Sequence, residues 1–406
     1  MSSKKPSDKK QKKKRKVGKV NPILYALVYA FAKPYFTLKY SVKFDKEAVR
    51  SMKNKPSIVI ATHTCDMDHI LSAMTLYPIR PTYVVSEHFT RKKSTARLLR
   101  IMKVITKKMF TPDASTIVNI VRAIRENSTI VIFPEGRLSC YGHSLPVAGG
   151  TAELIKKLGV DLYIWKASGA YLTFPKWREK KGDRRGRINA SVKLLLSKEE
   201  IEKASLDEVR LAIENAIEHD DELAMQGVYY RSKAIAKGVD KILYKCPACQ
   251  SEGTLSSGDT NIRCTCGLNA TLDNTYRLSG APFSRINEWF EWQMNTIDTE
   301  NDKLTSYVRL GACTEDGFMD ERAGDGMAYL DKDVFILSGT IHGEKVEFSL
   351  PIDKIVAFPI TAGEHFDVYY HGKLIYVYPL PDTRLSVKWV CFLDKLSSNK
   401  RNIQNG

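Results

Sequence analysis

Two short apolar segments, each followed at once by a polar cluster, constrain the fold of this chain most. Ser57–Ala61 (SIVIA) and residues 129–133 (TIVIF) have the length of strands but no alternation of polar and apolar residues. Such runs are typical of strands buried on both faces. Helical patterns lie between them near 69–77, 94–105 and 114–126. The sequence therefore predicts an α/β domain in which helices cover a mixed or parallel sheet.

The α/β pattern continues beyond these strands. The further predicted elements are a helix at Thr151–Leu158 and strands at 162–165 and Ile188–Leu196. Residues 197–221 predict one charged amphipathic helix, with Ser197 as its N-cap and Glu200 completing a capping box. We expect this domain to cover residues 21–232.

The N-terminal 20 residues are strongly basic. They hold ten Lys/Arg residues against Asp8, a net +9, whereas the whole chain of 406 residues carries +17. A block of like charges buries no core, so we expect a disordered tail. Anionic lipid would attract it by about 1 kcal/mol per basic residue, nucleic acid would bind it through counterion release, and a solvated tail without a partner is the alternative. The basic residues are Lys4, Lys5, Lys9, Lys10, Lys12, Lys13, Lys14, Arg15, Lys16 and Lys19.

Residues 22–32 are apolar around most of a helix, and Lys33-Pro34 is expected to interrupt it. Eleven residues can lie in a membrane interface but cannot cross a bilayer, and no run of 18 apolar residues occurs elsewhere. The segment also lacks the cleavage site of a signal peptide. A helix packed on the domain core is the alternative. With the basic tail beside it, the segment favours a peripheral or monotopic protein on the cytoplasmic face of a membrane.

A histidine and an aspartate follow the first buried strand. The segment reads THTCDMD, which places His63 at the carboxyl end of the strand and Asp68 five residues later. Sites of α/β proteins lie on loops at these strand ends. A carboxylate can fix the imidazole tautomer and stabilise the imidazolium that forms when the ring removes a proton. A structural His–Asp pair is the competing interpretation.

The second buried strand ends in Phe133-Pro134-Glu135-Gly136-Arg137. Proline and glycine favour a tight turn, which would expose backbone amides and a guanidinium together. Arg137 would bind a phosphate bidentately, and Glu135 would orient it or bond a substrate hydroxyl. A surface turn with an incidental ion pair is the alternative.

Together the two blocks resemble the glycerolipid acyltransferase superfamily, typified by 1-acylglycerol-3-phosphate acyltransferase, over about residues 22–230. The family's His-x4-Asp block matches His63 and Asp68, and its Phe-Pro-Glu-Gly block matches residues 133–136. The resemblance implies acyl transfer from acyl-CoA or acyl-carrier protein to the free hydroxyl of 1-acylglycerol-3-phosphate, giving phosphatidate. It implies His63 as general base oriented by Asp68, acceptor binding by Glu135, Gly136 and Arg137, and no catalytic cofactor.

Several positions depart from the family pattern. Thr62 and Cys65 replace the usual Asn and Ser, and Arg137 follows the glycine directly. Lys107 or Lys108 stands where the family carries a phosphate-binding arginine. These changes leave another lysophospholipid, or a glycolipid hydroxyl, open as the acceptor. Cys65 could carry the acyl group, but a small buried cysteine in place of serine is the favoured interpretation.

Four of the eight cysteines fall within 21 residues, in the pattern Cys246-x2-Cys249 and Cys264-x-Cys266. Two thiolate pairs on tight turns are typical of a tetrahedral zinc site, and Gly267 permits the second turn. Four protein ligands close such a site, so the ion would be structural. We expect one Zn²⁺ in a ribbon at 240–275.

The remaining sequence predicts a β-rich domain at 280–400. A helix at 284–297 is followed by short strands between turns, and a closing helix at 384–396. This spacing indicates a small antiparallel barrel or sandwich, with a faint resemblance to a pleckstrin-homology-like barrel. No catalytic cluster stands out in it.

Basic clusters also occur at 80–108 and 176–187, where they favour anionic substrates or form solvated faces. A nucleic-acid-binding protein built on the basic tail and the zinc ribbon is a hypothesis of a different class. It leaves His63, Asp68 and the Phe-Pro-Glu-Gly turn unexplained, so we do not expect a nucleic-acid partner.

Overall fold

The computed structural model describes residues 17–90, 93–108, 113–179, 182–314 and 318–405, with side chains to residue 397. Residues 1–16, which hold most of the basic tail predicted to be disordered, lie outside these ranges. The first sheet is built from β1 (Val42–Asp45), β2 (Ser57–Ala61), β3 (Thr82–Ser86), β4 (Ile105–Lys107), β5 (Thr129–Ile132), β6 (Asp161–Ser168) and β7 (Ile188–Leu196). Its spatial order is β1-β7-β6-β2-β5-β3-β4. Strands β6, β2, β5, β3 and β4 are parallel, and β7 is antiparallel to β6, so the sheet is mixed.

Helices cover both faces of this sheet. They are α1 (Pro22–Tyr40), α2 (Asp68–Leu76), α3 (Lys93–Ile101), α4 (Ala114–Arg125), α5 (Thr151–Leu158), α6 (Ala170–Thr173), α7 (Lys198–Lys203), α8 (Leu206–Ile217) and α9 (Asp221–Ala224). Val59 and Ala61 of β2 pack with α1 and α2, whereas Ile58 and Ile60 pack with α4, α5 and α8. Neighbouring residues of a strand point to opposite faces of the sheet. A strand covered by helices on both faces therefore has to be apolar at every position.

Helix α1 corrects one expectation. It continues through Pro34 for 19 residues instead of ending before Lys33. Tyr25 lies before the proline and Phe36 and Tyr40 lie after it, and all three are buried. Packing on both sides holds the helix together although proline removes one of its hydrogen bonds. Within the described ranges no helix is both long and apolar enough to span a membrane.

The predicted single helix at 197–221 is wrong as well. The chain forms α7, α8 and α9, and Ala204 between the first two is extended. Ser197 and Glu200 form the expected capping box, but Ser205 and Glu208 form a second one. The Ser205 side chain accepts the Glu208 amide, which in a continuous helix would donate to the carbonyl four residues earlier. A second N-cap therefore begins a new helix.

The cysteine-rich segment forms a small antiparallel sheet of β8 (Leu255–Ser257), β9 (Asn261–Cys264), β10 (Asn269–Leu272) and β11 (Leu278–Ser279). Helix α10 (Ile286–Asn295) follows, and it buries Trp289 and Phe290 as a packed linker helix should.

The C-terminal region is β-rich and ends in α11 (Ser386–Asn405). Its strands are β12 (Leu304–Cys313), β13 (Met319–Leu330), β14 (Val334–Ile341), β15 (Glu344–Pro351), β16 (Ile360–Thr361), β17 (His365–Tyr370) and β18 (Lys373–Pro379). They form one antiparallel sheet in the order β15-β14-β13-β12-β18-β17-β16, so the described pairings give an open sheet instead of a closed barrel. The similarity to a pleckstrin-homology-like barrel stays a prediction.

One hydrophobic core joins these parts. It runs from Cys140, Tyr171 and Trp177 of the α/β region through the cysteine-rich sheet to Phe335 and Phe392 of the C-terminal region. The C-terminal half therefore packs directly against the segment that follows the Phe-Pro-Glu-Gly turn.

Candidate active site

His63 and Asp68 lie together at the carboxyl end of β2. His63 Nδ1 is 3.0 Å from Asp68 Oδ2, and Asp68 is fully buried at the first residue of α2. When Asp68 accepts the Nδ1 proton, the Nε2 lone pair is free to remove a proton from a substrate. Among the described residues none bonds to Nε2, and the His63 side chain is 16% exposed. The arrangement can act as a general base.

Asp68 is held by several donors besides the histidine. Its Oδ2 accepts the Thr64 and Cys65 amides at 2.8 and 3.0 Å, and its Oδ1 accepts the Cys65 thiol at 3.1 Å. These bonds fix the position of the carboxylate under the ring. Burial, with the nearby Asp68 charge, raises the pKa of Cys65 well above its ordinary value. This thiol stays protonated and buried, which agrees with a small packing residue and not with an acyl carrier.

His69 forms one wall of the site, a role that the sequence did not indicate. Its ring centroid lies 5.6 Å from that of His63 and 4.7 Å from that of Phe133. Burial, followed by the charge of His63, lowers the pKa of His69 to about 4. His69 is therefore neutral at pH 7 and places no second positive charge beside the imidazolium that His63 would form.

Glu135 is buried and joins the two sequence blocks. Its Oε1 accepts the His63 amide at 2.7 Å and its Oε2 accepts the Leu145 amide at 2.6 Å. Burial raises the pKa of Glu135 to about 8, although both amide bonds act in the opposite direction. With both oxygens engaged by backbone, Glu135 shapes the loop around His63, and its geometry does not support the expected bond to a substrate hydroxyl.

Gly136 sits at the tip of the predicted tight turn. Its φ is +73°, its amide donates to the Phe133 carbonyl at 3.1 Å, and a Cβ built on it would meet nothing within 4 Å. The turn therefore needs glycine for its backbone conformation, while the space above the turn is open.

Arg137 occupies a different place from the one expected. Its Nη2 pairs with Oδ2 of Asp394 in α11, and its side chain is only 9% exposed. The pairing with Asp394 raises the pKa of Arg137 against the effect of burial, so the guanidinium is charged. Since this buried ion pair engages the guanidinium, the geometry does not support the expected phosphate role. The sequence could not indicate Asp394, because it lies 257 residues further along the chain.

Lys107 and Lys108 lie at the carboxyl end of β4, the edge strand, and both are exposed. Strand β4 is three positions from β2 in the sheet, or about 14 Å at the usual strand spacing. The parallel strands bring the carboxyl ends of β2 and β4 to one edge of the sheet, so these lysines share an edge with His63 but do not touch it.

The four clustered cysteines converge as predicted for a metal site. Their sulfur atoms all lie within 4.8 Å of one another. Cys246 Sγ is 3.7 Å from Cys266 Sγ, and Cys249 Sγ is 3.7 Å from Cys264 Sγ. A tetrahedral zinc ion with sulfur ligands at about 2.3 Å separates its sulfurs by about 3.8 Å. The donor set and its spacing thus fit zinc.

Comparison with known proteins agrees with the site. Residues 41–165, which include β2, α2 and the Phe-Pro-Glu-Gly turn, match the family model described as Acyltransferase. A crystal structure of the 1-acyl-sn-glycerophosphate (LPA) acyltransferase PlsC from Thermotoga maritima is similar at a TM-score of 0.40 and 17% identity, covering 48% of this chain and 77% of that one. The match, with the His63–Asp68 pair inside it, identifies residues 41–165 as an acyltransferase domain.

Proposed function

We propose that this protein transfers an acyl group from acyl-CoA or acyl-carrier protein to the free hydroxyl of 1-acylglycerol-3-phosphate, giving phosphatidate. The observation that carries the reaction is the His63–Asp68 pair, in which Asp68 takes Nδ1 and leaves Nε2 for the substrate. The acceptor rests on the family resemblance and on the basic residues at the edge of the sheet that His63 shares.

The reaction follows from these groups. His63 Nε2 removes the proton of the acceptor hydroxyl while the oxygen attacks the thioester carbonyl. The tetrahedral intermediate collapses, the carbon–sulfur bond breaks, and the thiolate takes the proton from the imidazolium. Asp68 stabilises the imidazolium between these two steps. A positioned base of this kind contributes about 10²–10⁴-fold to the rate.

The position of Arg137 favours a second candidate acceptor. With its guanidinium paired to Asp394, recognition of a phosphate would fall to Lys107 and Lys108, which act as point charges and not as a bidentate fork. Such recognition discriminates weakly between a phosphate monoester and the phosphodiester of another lysophospholipid. The chemistry at His63 is the same for both acceptors.

An assay of the purified full chain with acyl-CoA tests this function. The acceptors are 1-acylglycerol-3-phosphate, 1-acylglycerol-3-phosphocholine and a neutral monoacylglycerol. His63→Ala should lower kcat by about 10²–10⁴-fold, whereas Cys65→Ser should retain activity because the thiol only packs and donates to Asp68. His342→Ala, at an exposed His–Asp pair in the C-terminal sheet, is the matched control. Ester formation that survives in His63→Ala would rule out the mechanism, and activity on the phosphocholine lipid alone would change the acceptor.

We also propose a structural Zn²⁺ held by Cys246, Cys249, Cys264 and Cys266. The ion would fix two turns of a segment whose strands are only two to four residues long. Such a segment gains its folding free energy largely from the metal. No catalytic step involves it, because all four of its ligands come from the protein.

We propose further that α1 lies in a membrane interface on the cytoplasmic face. Its large apolar side chains point outward, with Phe31 77% and Leu38 83% exposed. The other exposed members of this face are Ile23, Leu24, Leu27, Val28 and Tyr35. An exposed apolar stripe of this length indicates a lipid or protein contact.

A further inference from the structure

Helix α3 is unusual for a helix that joins two parallel strands, because none of its residues is buried. Such helices normally bury an apolar stripe on the sheet. Here Leu98 is 56% and Ile101 45% exposed, and Phe89, in the turn before the helix, is 53% exposed. Phe89, Leu98 and Ile101 are therefore left uncovered by the domain.

The outward face of α3 is also basic. At 100° per residue, Lys93, Arg97, Leu98, Arg100 and Ile101 fall within one half of the helix circumference, an arc of about 160°. All five are exposed, whereas Thr95, Ala96 and Leu99 on the other side are half-buried. The segment 93–108 contains six Lys/Arg residues and no acidic residue. One face thus presents cations and apolar groups together.

The segment after α3 approaches the residues that precede α1. A Cβ built on Gly18 would lie 4.0 Å from Lys103 Cδ.

We infer that α3 is a second membrane-binding element, which docks on an anionic lipid surface. Leu98 and Ile101 enter the headgroup region, and Arg97 and Arg100 pair with lipid phosphates. The combination of basic and aliphatic side chains favours anionic lipid over nucleic acid. A nucleic-acid backbone would pair with the arginines but leave Leu98 and Ile101 in water. Strand β4 follows α3 directly, so docking would bring the edge of the sheet that holds His63 towards lipid substrates. This step rests on the proposed function of the site.

The test is vesicle co-sedimentation of the full chain. The vesicles contain phosphatidylcholine alone, or with about one third phosphatidylserine. Arg97→Gln/Arg100→Gln should weaken binding to anionic vesicles by about 20–30-fold, from about fivefold per basic residue. Leu98→Ser/Ile101→Ser should weaken binding to both kinds of vesicle. Arg210→Gln/Leu211→Ser is the matched control, because it removes an exposed arginine and an exposed leucine from α8.

Two outcomes would overturn the inference. One is vesicle binding that equals the control in both α3 variants. The other is an effect of the arginine substitutions on duplex-DNA binding alone, which would assign the face to nucleic acid. Acyl transfer in neutral detergent micelles separates this inference from the proposed function, because micellar kcat should be unchanged in the α3 variants. If wild type is inactive in micelles on every acceptor while α3 still governs vesicle binding, the proposed function fails and the docking surface stands.

Discussion

The Arg137–Asp394 pair offers the sharpest test of how the C-terminal half supports the active-site loop. Asp394→Asn would leave the Arg137 guanidinium buried, charged and without its partner. Removing one member of a buried pair costs about 3–5 kcal/mol. Asp394 is 28% exposed, so water screens part of the charge. We therefore expect Asp394→Asn to lower the free energy of unfolding by about 3 kcal/mol, the low end of this range.

The double variant Arg137→Met/Asp394→Leu should recover most of this loss. Replacing both charged groups by apolar ones of similar size removes the unpaired charge beside the buried thiols of Cys140 and Cys391. Urea denaturation of Asp394→Asn, Arg137→Met and the double variant measures the stability, and acyl transfer measured in parallel reports on the loop. Lys332→Met, at an exposed ion pair with Glu300, is the control and should cost less than about 1 kcal/mol.

The reasoning would be refuted by one pattern of results. If Asp394→Asn leaves stability and kcat unchanged, while Arg137→Met is fully stable but inactive, then the guanidinium acts on substrate. In that case the ion pair does not hold the loop. Activity restored in the double variant would instead establish Arg137 and Asp394 as positioning residues, because neither charge could then contact an acceptor.

Three further predictions concern the loop and the metal site. Since burial raises the pKa of Glu135 to about 8, above its ordinary 4.5, its protonated form favours the folded state. This contribution to the free energy of unfolding is complete below pH 4.5 and is lost as the pH rises through about 8. In Glu135→Gln that decline should be absent. Urea titrations of wild type and variant at pH 5 and pH 9 would measure it. Gly136→Ala should cost about 1–2 kcal/mol, because φ is +73° and no neighbour obstructs a methyl group, and a loss above about 4 kcal/mol would contradict this view. Purified protein should contain one zinc per chain by elemental analysis, and Cys264→Ser should lower both the zinc content and the melting temperature while a Cys313→Ser control changes neither.

Local signals in the sequence predicted much of the α/β region. The bounds of Ser57–Ala61, Thr151–Leu158 and Ile188–Leu196 agree with the structure, because apolar runs and caps act within a few residues. His63 and Asp68 are five residues apart, and the four clustered cysteines fall within 21 residues. For such short separations, one strand end or two turns suffice to bring the side chains together.

Tertiary packing decided the rest. Helix α1 passes through Pro34 because side chains on both sides of it are buried, which no local pattern shows. The environment of Glu135 and the partner of Arg137 depend on chain segments that lie 10, 72 and 257 residues away. The sequence by itself determined that His63 and Asp68 lie together, since that required only neighbours along the chain. The partner of Arg137 in the Phe-Pro-Glu-Gly-Arg turn was decided by the C-terminal helix, which carries Asp394. A buried charge needs an opposite charge beside it, and only the folded core brings the two together.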